Sequence, residues 1–227
     1  MQHEYEINQL EKEDSWRMFR ILGEFVSGFD ALSDVTPAVS IYGSARLKAD
    51  DELYRKTEEI AEKLGRMGFS IITGGGPGVM EAANKGAARA GAKSIGLNIN
   101  LPQEQAGNTY ATISMTYNHF FVRKVMLVKY ASAFVIMPGG LGTLDELTEV
   151  LNLIQTYKIK PFPVILYDSG FWQGLLDWLR QHSLAKGYIS EGDINLLRIS
   201  NSPDEIAETI QLWHSKGRLA GRQAITG

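Results

Sequence analysis

The stretch Pro138-Gly139-Gly140-Leu141-Gly142-Thr143-Leu144-Asp145-Glu146 decides the fold of this chain. It follows an apolar run, 133–137, that predicts a buried strand, and it opens a segment with helical periodicity. Glycines at three of four consecutive positions allow a tight turn and let a ligand approach the backbone. The first turn of a helix has free N–H groups and a positive dipole end, so this turn favours an anion. The stretch therefore predicts a phosphate site, with the carboxylate of Glu146 one helical turn away.

Outside this stretch, short apolar runs alternate with longer helical patterns. The runs that predict strands are 38–42, 69–72, 94–97, 133–137 and 163–166. The segments with helical spacing are 54–67, 79–90, 118–130, 144–157 and 172–180. Continuous apolar strands indicate a sheet that is covered on both faces. We therefore predict an α/β fold, a Rossmann-like doubly wound and mostly parallel sheet with helices on both faces.

Two regions lie outside the predicted sheet. Residues 12–31 form an extra N-terminal helix with a wide apolar face, which either lies on the flank of the sheet or binds a partner. The C-terminal residues carry little apolar content. We therefore divide the chain into an N-terminal helical extension (1–37), a single Rossmann-like domain (38–216) and a flexible tail (217–227).

Composition excludes several classes of function. The 227 residues carry a net charge of −3, which argues against a nucleic-acid partner. No apolar run reaches the roughly 20 residues of a membrane span, and the acidic start does not resemble a signal peptide. The chain has no cysteine, which fits the cytoplasmic location that we expect. The four histidines lack the spacing of metal ligands, so we expect no metal site.

Glycine follows three of the predicted strands. Gly43 and Ser44 follow the first strand, Gly75 and Gly76 lie in the turn after the second, and the 138–146 stretch follows the fourth. Each turn could be only a tight connection between strand and helix. Because the carboxyl ends of parallel strands meet at one edge, however, the three turns together predict a cleft for a phosphate and a sugar.

Familiar nucleotide signatures are absent from these turns. The NTPase pattern G-x-x-x-x-G-K-[S/T] does not occur, and the dinucleotide pattern G-x-G-x-x-G fails because Val79 and Asp145 occupy its last position. These failures favour a nucleoside monophosphate or a sugar phosphate over ATP or NAD. Arg123 and Lys124 lie near the start of the predicted helix 118–130, before the central strand, where they are either ordinary surface charges or cations of the cleft.

Three motifs together resemble the LONELY GUY family of cytokinin riboside 5′-monophosphate phosphoribohydrolases. They are P-G-G-x-G-T-x-x-E at 138–146, the R-K pair at 123–124 and G-G-G-x-G-x-M at 74–80. The resemblance covers roughly residues 38–210. It implies hydrolysis of the N-glycosidic bond of cytokinin riboside monophosphate or AMP, which gives the free base and ribose 5-phosphate. It also implies no cofactor, and a homodimer or a higher homo-oligomer.

The resemblance assigns roles to individual residues. The catalytic glutamate and arginine of the family fall on Glu146 and Arg123, a substrate contact falls on Lys124, and an acidic loop contact falls near Glu104. The phosphate loop falls on Gly139, Gly140, Leu141, Gly142 and Thr143. Two alternatives stay open on the same fold: a non-catalytic protein that binds nucleoside monophosphates, and a phosphoribosyl transferase.

Overall fold

The computed structural model describes residues 14–101 and 107–223 and contains one parallel sheet of seven strands within them. The strands are β1 (Ala38–Tyr42), β2 (Ser70–Thr73), β3 (Ser94–Ile99), β4 (Ile113–Tyr117), β5 (Ala131–Ile136), β6 (Val164–Tyr167) and β7 (Leu197–Ser200). Their order is β4-β3-β2-β1-β5-β6-β7, and every neighbouring pair is parallel. The α/β prediction is confirmed.

Helices cover both faces of this sheet. They are α1 (Asp14–Ala31), α2 (Glu52–Arg66), α3 (Val79–Arg89), α4 (Phe120–Lys129), α5 (Leu141–Gln155), α6 (Ser169–Trp178), α7 (Glu191–Ile194) and α8 (Pro203–Gln223), and a π-helical turn (Leu179–Leu184) follows α6. One apolar core lies under α1, α4, α5 and α6, and the other lies under α2, α3 and α8. Strand β1 serves both cores, since Ala38 and Tyr42 enter the first while Val39 and Ile41 enter the second.

The strand order reverses between β1 and β5, which is where open α/β sheets bind their ligands. The turns that follow these two strands are joined by backbone hydrogen bonds. Ser44 N donates to Pro138 O at 3.1 Å, and Val79 N at the start of α3 donates to Ser44 O at 2.9 Å. The three glycine-rich turns therefore form one connected edge of the sheet.

Helix α1 begins at Asp14 and packs only part of its apolar face. Ile21 and Phe25 contact the first core, whereas Trp16 and Phe19 keep 69% and 66% of their surface exposed. The helix lies on the flank of the sheet, as the first of the two interpretations expects, and it also leaves an uncovered apolar surface.

The structure differs from the sequence prediction in two strands and in the ends of two helices. Strands β4 and β7 were not predicted, and α5 begins at Leu141 rather than at residue 144. Helix α8 continues to Gln223, into the segment 217–227 that we expected to be a flexible tail. Leu219 and Ala220 are good helix formers, so the helical pattern does not end at Gly217. Over the described ranges, no helix has both the length and the apolar character needed to cross a membrane.

Candidate functional site

The N-terminus of α5 opens into a cavity of about 780 Å³ at the carboxyl ends of the strands. Gly140 precedes the helix and provides no side-chain cap, and the first helical hydrogen bond there runs from Leu144 N to Gly140 O. The N–H groups of Leu141, Gly142 and Thr143 come before that bond and have no partner within the helix. All three residues line the cavity, as Gly140 does. This end of the cavity can bind an anion.

Gly139 lies behind this cradle and fixes its shape. A Cβ atom at this position would lie 3.0 Å from Ser44 N and 2.8 Å from Thr143 Cβ. Only glycine therefore lets the turn after β5 approach the turn after β1. Ser44 and Gly43 line the cavity on the β1 side.

Glu146 and Arg123 face each other in the same cavity. Arg123 Nη2 lies 3.9 Å from Glu146 Oε1, and the two side chains are only 12% and 19% exposed. Arg123 Nη1 donates to Leu97 O at 3.3 Å, while its buried Nε has no hydrogen-bond partner in the described residues. The guanidinium group also lies 5.6 Å from the centre of the Phe120 ring. Helix α4 thus holds an arginine with unused donors beside a carboxylate.

Burial controls the ionisation of this pair. It raises the pKa of Glu146 from the ordinary value of 4.5 to about 7, although Arg123 nearby acts to lower it. Burial likewise lowers the pKa of Arg123 against the raising effect of Glu146. A carboxyl group with a pKa near 7 can exchange protons at neutral pH, which suits a general acid or base.

A buried polar network holds the glycine-rich turn after β2. Thr73 Oγ1 donates to Asn84 Oδ1 at 2.6 Å, and Asn108 Nδ2 donates to the carbonyl oxygens of Gly75 and Gly76 at 3.0 and 3.1 Å. Gly76 lines the cavity, whereas Gly75 lies behind it. The turn is therefore fixed by the segment that leads into β4.

Lys124, which we predicted as a substrate contact, lies outside this cavity. Its Nζ pairs with Asp145 Oδ2 at 2.8 Å and Glu149 Oε2 at 3.3 Å, in a separate groove of about 340 Å³ between α4 and α5. Burial acts to lower the pKa of Lys124, but the two carboxylates outweigh it and the pKa is raised. Glu104 lies outside the described residues.

The cavity also contains residues that the sequence analysis did not select. They are Ile41, Tyr42, Ala45, Arg46, Gly74, Met80, Asn98, Ile99, Leu101 and Phe120. Two of them could have been found from their positions. Arg46 comes two residues after Ser44 in a turn already chosen, and Asn98 directly follows the run 94–97 that predicts a strand. Within the described ranges, no group of three or more histidine or acidic side chains could hold a metal ion.

Comparison with known proteins places the chain in a family. The family model described as "possible lysine decarboxylase" matches residues 80–210, more than half of the chain. The chain belongs to this family. Its curated relatives carry the LONELY GUY name, which confirms the resemblance that the three motifs predicted.

Two relatives show how far the similarity extends. A protein of Oryza sativa subsp. japonica, named probable cytokinin riboside 5′-monophosphate phosphoribohydrolase, is 26% identical over 67% of this chain and 63% of its own length. An Arabidopsis thaliana protein named cytokinin riboside 5′-monophosphate phosphoribohydrolase is 27% identical over 67% of this chain and 72% of its own length. The chain thus spans less than two thirds of the rice relative.

Solved structures share the fold at lower identity. A molybdenum cofactor binding protein from Rippkaea orientalis is 23% identical with a TM-score of 0.57, over 77% of this chain and 93% of that one. The Moco carrier protein of Chlamydomonas reinhardtii is 19% identical with a TM-score of 0.58, over 79% and 98% of the two chains. These similarities concern the fold, since one fold serves many functions.

Proposed function

We propose that this protein hydrolyses the N-glycosidic bond of a purine nucleoside 5′-monophosphate, either AMP or a cytokinin riboside monophosphate. The products are the free base and ribose 5-phosphate. The observation that carries the proposal is the pairing of Glu146 with Arg123 in a cavity that also contains the open N-terminus of α5. The names of the rice and Arabidopsis relatives support the same reaction.

Glu146 is the group that we assign to the ribose. As the bond between C1′ and the base nitrogen breaks, positive charge develops on the ribose, and a carboxylate beside it is stabilising. A water molecule then forms the new bond to C1′, and its proton passes to Glu146. Because burial raises the pKa of Glu146 to about 7, this carboxylate accepts a proton more readily than an exposed glutamate does.

Arg123 is the group that we assign to the departing base. The electron pair of the broken bond moves onto the base, so negative charge develops on its ring nitrogens until a proton from solvent gives the neutral free base. Arg123 has a buried Nε without a partner and an Nη2 that lies beyond hydrogen-bond distance from Glu146. The buried Nε has no accessible surface, so Nη2 is the donor available to a ring nitrogen, and the planar group can also orient the ring.

The 5′-phosphate occupies the N-terminus of α5 in this proposal. The N–H groups of Gly142 and Thr143 and the side of the cavity formed by Ser44 and Arg46 supply donors and positive charge. A phosphate held there fixes the ribose relative to Glu146, which lies about one helical turn after Gly142 and Thr143 in α5. A nucleoside without phosphate is therefore a poor substrate.

The decisive experiment is incubation of the purified protein with AMP and with isopentenyladenosine monophosphate, followed by chromatography. Free base together with ribose 5-phosphate supports hydrolysis. Recovery of unchanged nucleotide indicates a binding protein, and release of base only after an acceptor is added indicates a transferase.

The role of Glu146 has its own test. We expect Glu146→Gln to lower turnover by about 10²-fold or more, with little change in AMP affinity, because it removes a proton acceptor but keeps the shape. The matched control is Glu149→Gln on the same helix, since Glu149 pairs with Lys124 outside the cavity. Turnover at the wild-type rate in Glu146→Gln contradicts the assignment.

A homodimer is the assembly that we expect. The uncovered apolar surface contains Trp16, Phe19 and Val26 of α1, and Phe121 of α4 is also half exposed. An exposed patch of this kind is typical of a subunit interface. Light scattering on the wild type and on Phe19→Glu tests this surface: a dimer that dissociates in the variant supports it, and a wild-type monomer contradicts it.

A further inference from the structure

The two ends of the cavity differ in chemistry. The end at α5 has N–H groups, the Ser44 hydroxyl and the Arg46 guanidinium, whereas the end at β2 and β3 is lined by Met80, Ile99 and Leu101. Apolar side chains suit the flat faces of a purine and do not suit a phosphate. The cavity is therefore polarised along the edge of the sheet.

The distance along the sheet edge between β5 and β3 suits the two ends of a nucleoside monophosphate. Strand β3 lies three positions from β5 in the sheet, and neighbouring strands are about 4.8 Å apart, so the two ends are separated by about 14 Å. The phosphate and the base are at opposite ends of a nucleoside monophosphate. A phosphate at α5 consequently directs the base toward the end of β3.

Two polar side chains of the described residues lie at this end, Arg123, which donates to Leu97 O of β3, and Asn98. Asn98 Nδ2 donates to Met115 O at 3.3 Å and to Ser114 Oγ at 3.2 Å. A backbone carbonyl can only accept a hydrogen bond, so the contact with Met115 fixes which side of the amide is nitrogen. Oδ1 therefore lies on the opposite side, and it accepts no hydrogen bond from the described part of the chain.

Two glycines let the backbone pack closely against the Asn98 amide and hold it in place. Gly75 has a φ of +75°, and a Cβ atom at this residue would lie only 2.5 Å from Asn98 Oδ1. Gly107 also approaches without a side chain, since its Cβ position is 3.2 Å from the same oxygen. Asn98 also lines the cavity. A rigid acceptor thus stands at the apolar end, and its orientation does not depend on a ligand.

From this geometry we infer that Asn98 Oδ1 accepts a hydrogen bond from the 6-amino group of the purine, so that the site selects 6-amino over 6-oxo purine nucleotides. This inference rests on the proposed function. A 6-oxo purine presents an acceptor, and two acceptors facing each other in a partly buried site leave both unsatisfied. An N6-monosubstituted adenine keeps one N–H, so the same contact admits cytokinin nucleotides.

The test compares AMP, IMP and purine riboside 5′-monophosphate, which carries no group at position 6. We expect the wild type to prefer AMP over both by kcat/KM. In Asn98→Leu, which has a similar size and no acceptor, kcat/KM for AMP should fall about 10- to 100-fold, while the value for purine riboside monophosphate changes little. The matched control is Asn100→Leu, since Asn100 donates to Asn118 and does not line the cavity.

The outcomes separate this inference from the proposed function. If kcat/KM falls equally for AMP and for purine riboside monophosphate in Asn98→Leu, Asn98 has a structural role and the inference is overturned. If kcat/KM falls for neither nucleotide, the inference is overturned as well. If the wild type hydrolyses none of the three, the proposed function fails, and calorimetry then measures binding. Tighter binding of AMP than of IMP, abolished in Asn98→Leu, still supports Asn98 as the base contact. Equal affinity of the wild type for AMP and IMP overturns the role of Asn98.

Discussion

Arg123 and Glu146 face each other at 3.9 Å, close enough to attract and too far apart to share a hydrogen bond. Helices α4 and α5 hold the two side chains, so the gap is a property of the helix packing. A closed salt bridge would neutralise both groups and use up their hydrogen-bonding capacity. The open pair leaves acceptor oxygens and N–H donors for a substrate placed beside it.

The raised pKa of Glu146 predicts a pH-dependent effect on stability. The folded state binds the proton more tightly than the unfolded state, with a pKa of about 7 against an ordinary 4.5. The cost of ionising Glu146 is therefore absent below about pH 4.5, grows between the two values and is complete above pH 7, where it reaches about 3 kcal/mol. Glu146→Gln removes this cost. We expect urea unfolding to show the variant more stable than the wild type at pH 8.5 and not at pH 4.5; an equal difference at both pH values contradicts the prediction.

The same carboxyl group should set the pH dependence of hydrolysis. As a general base Glu146 must be ionised, so kcat/KM rises with pH through a limb near pH 7. The neighbouring Asp145 contributes to raising the pKa of Glu146, and Asp145 itself lies outside the cavity. We expect Asp145→Asn to move the limb to lower pH. A limb that stays in place, or that persists unchanged in Glu146→Gln, assigns the titration to another group.

The sheet edges show why part of the fold was predictable. The five predicted strands are continuous apolar runs because helices cover both of their faces. Strands β4 and β7 lie at the two ends of the sheet, and their burial alternates: Ser114 and Thr116 in β4 and Arg198 in β7 are exposed between more buried neighbours. A search for continuous apolar runs passes over strands of this kind. The two strands that the sequence did not predict are therefore the edge strands, whose side chains are partly exposed to solvent.

Only some of the site residues could be predicted from the sequence. Arg123 and Glu146 belong to motifs with fixed spacing, and the structure brings them together. Lys124 belongs to the same motif, but adjacent residues on a helix point about 100° apart, and Asp145 and Glu149 hold it in the neighbouring groove. Asn98 depends on its partners in β4, a strand that the sequence did not reveal.

Arg46 is expected to contribute more to phosphate binding than Lys124. Arg46 lines the cavity beside Ser44, while Lys124 is paired with two carboxylates in the groove between α4 and α5. A hydrogen bond to a charged group contributes about 1.5–3 kcal/mol, so Arg46→Ala should raise KM for AMP by roughly 10- to 100-fold. The reaction of adenosine, which has no phosphate, should not respond. A larger rise in KM in Lys124→Ala than in Arg46→Ala contradicts this prediction and assigns the phosphate contact to Lys124.

Glu24 is expected to position the helix that carries Arg123. From α1, its Oε1 accepts hydrogen bonds from Asn118 N at 3.0 Å and Asn118 Nδ2 at 2.9 Å, and its Oε2 accepts one from His119 N at 3.3 Å. This carboxylate therefore satisfies backbone N–H groups at the start of α4, where negative charge is also favourable. Burial acts to raise the pKa of Glu24, but the hydrogen bonds from Asn118 and the nearby His119 side chain together outweigh it, and the pKa is lowered. The contact thus stabilises the folded state above the ordinary value of 4.5 and is lost as the pH falls below the lowered pKa.

We expect Glu24→Gln to lower the free energy of unfolding by about 1–3 kcal/mol at pH 7 and by less at pH 3, measured by urea denaturation. Because Arg123 lies one turn into α4, we also expect kcat to fall while KM changes less. The matched control is Lys93→Ala, which removes an exposed pair with Asp34 and should change neither the stability much nor kcat. A Glu24→Gln variant that loses stability but keeps the wild-type kcat restricts Glu24 to the packing of α1 and removes its proposed influence on Arg123.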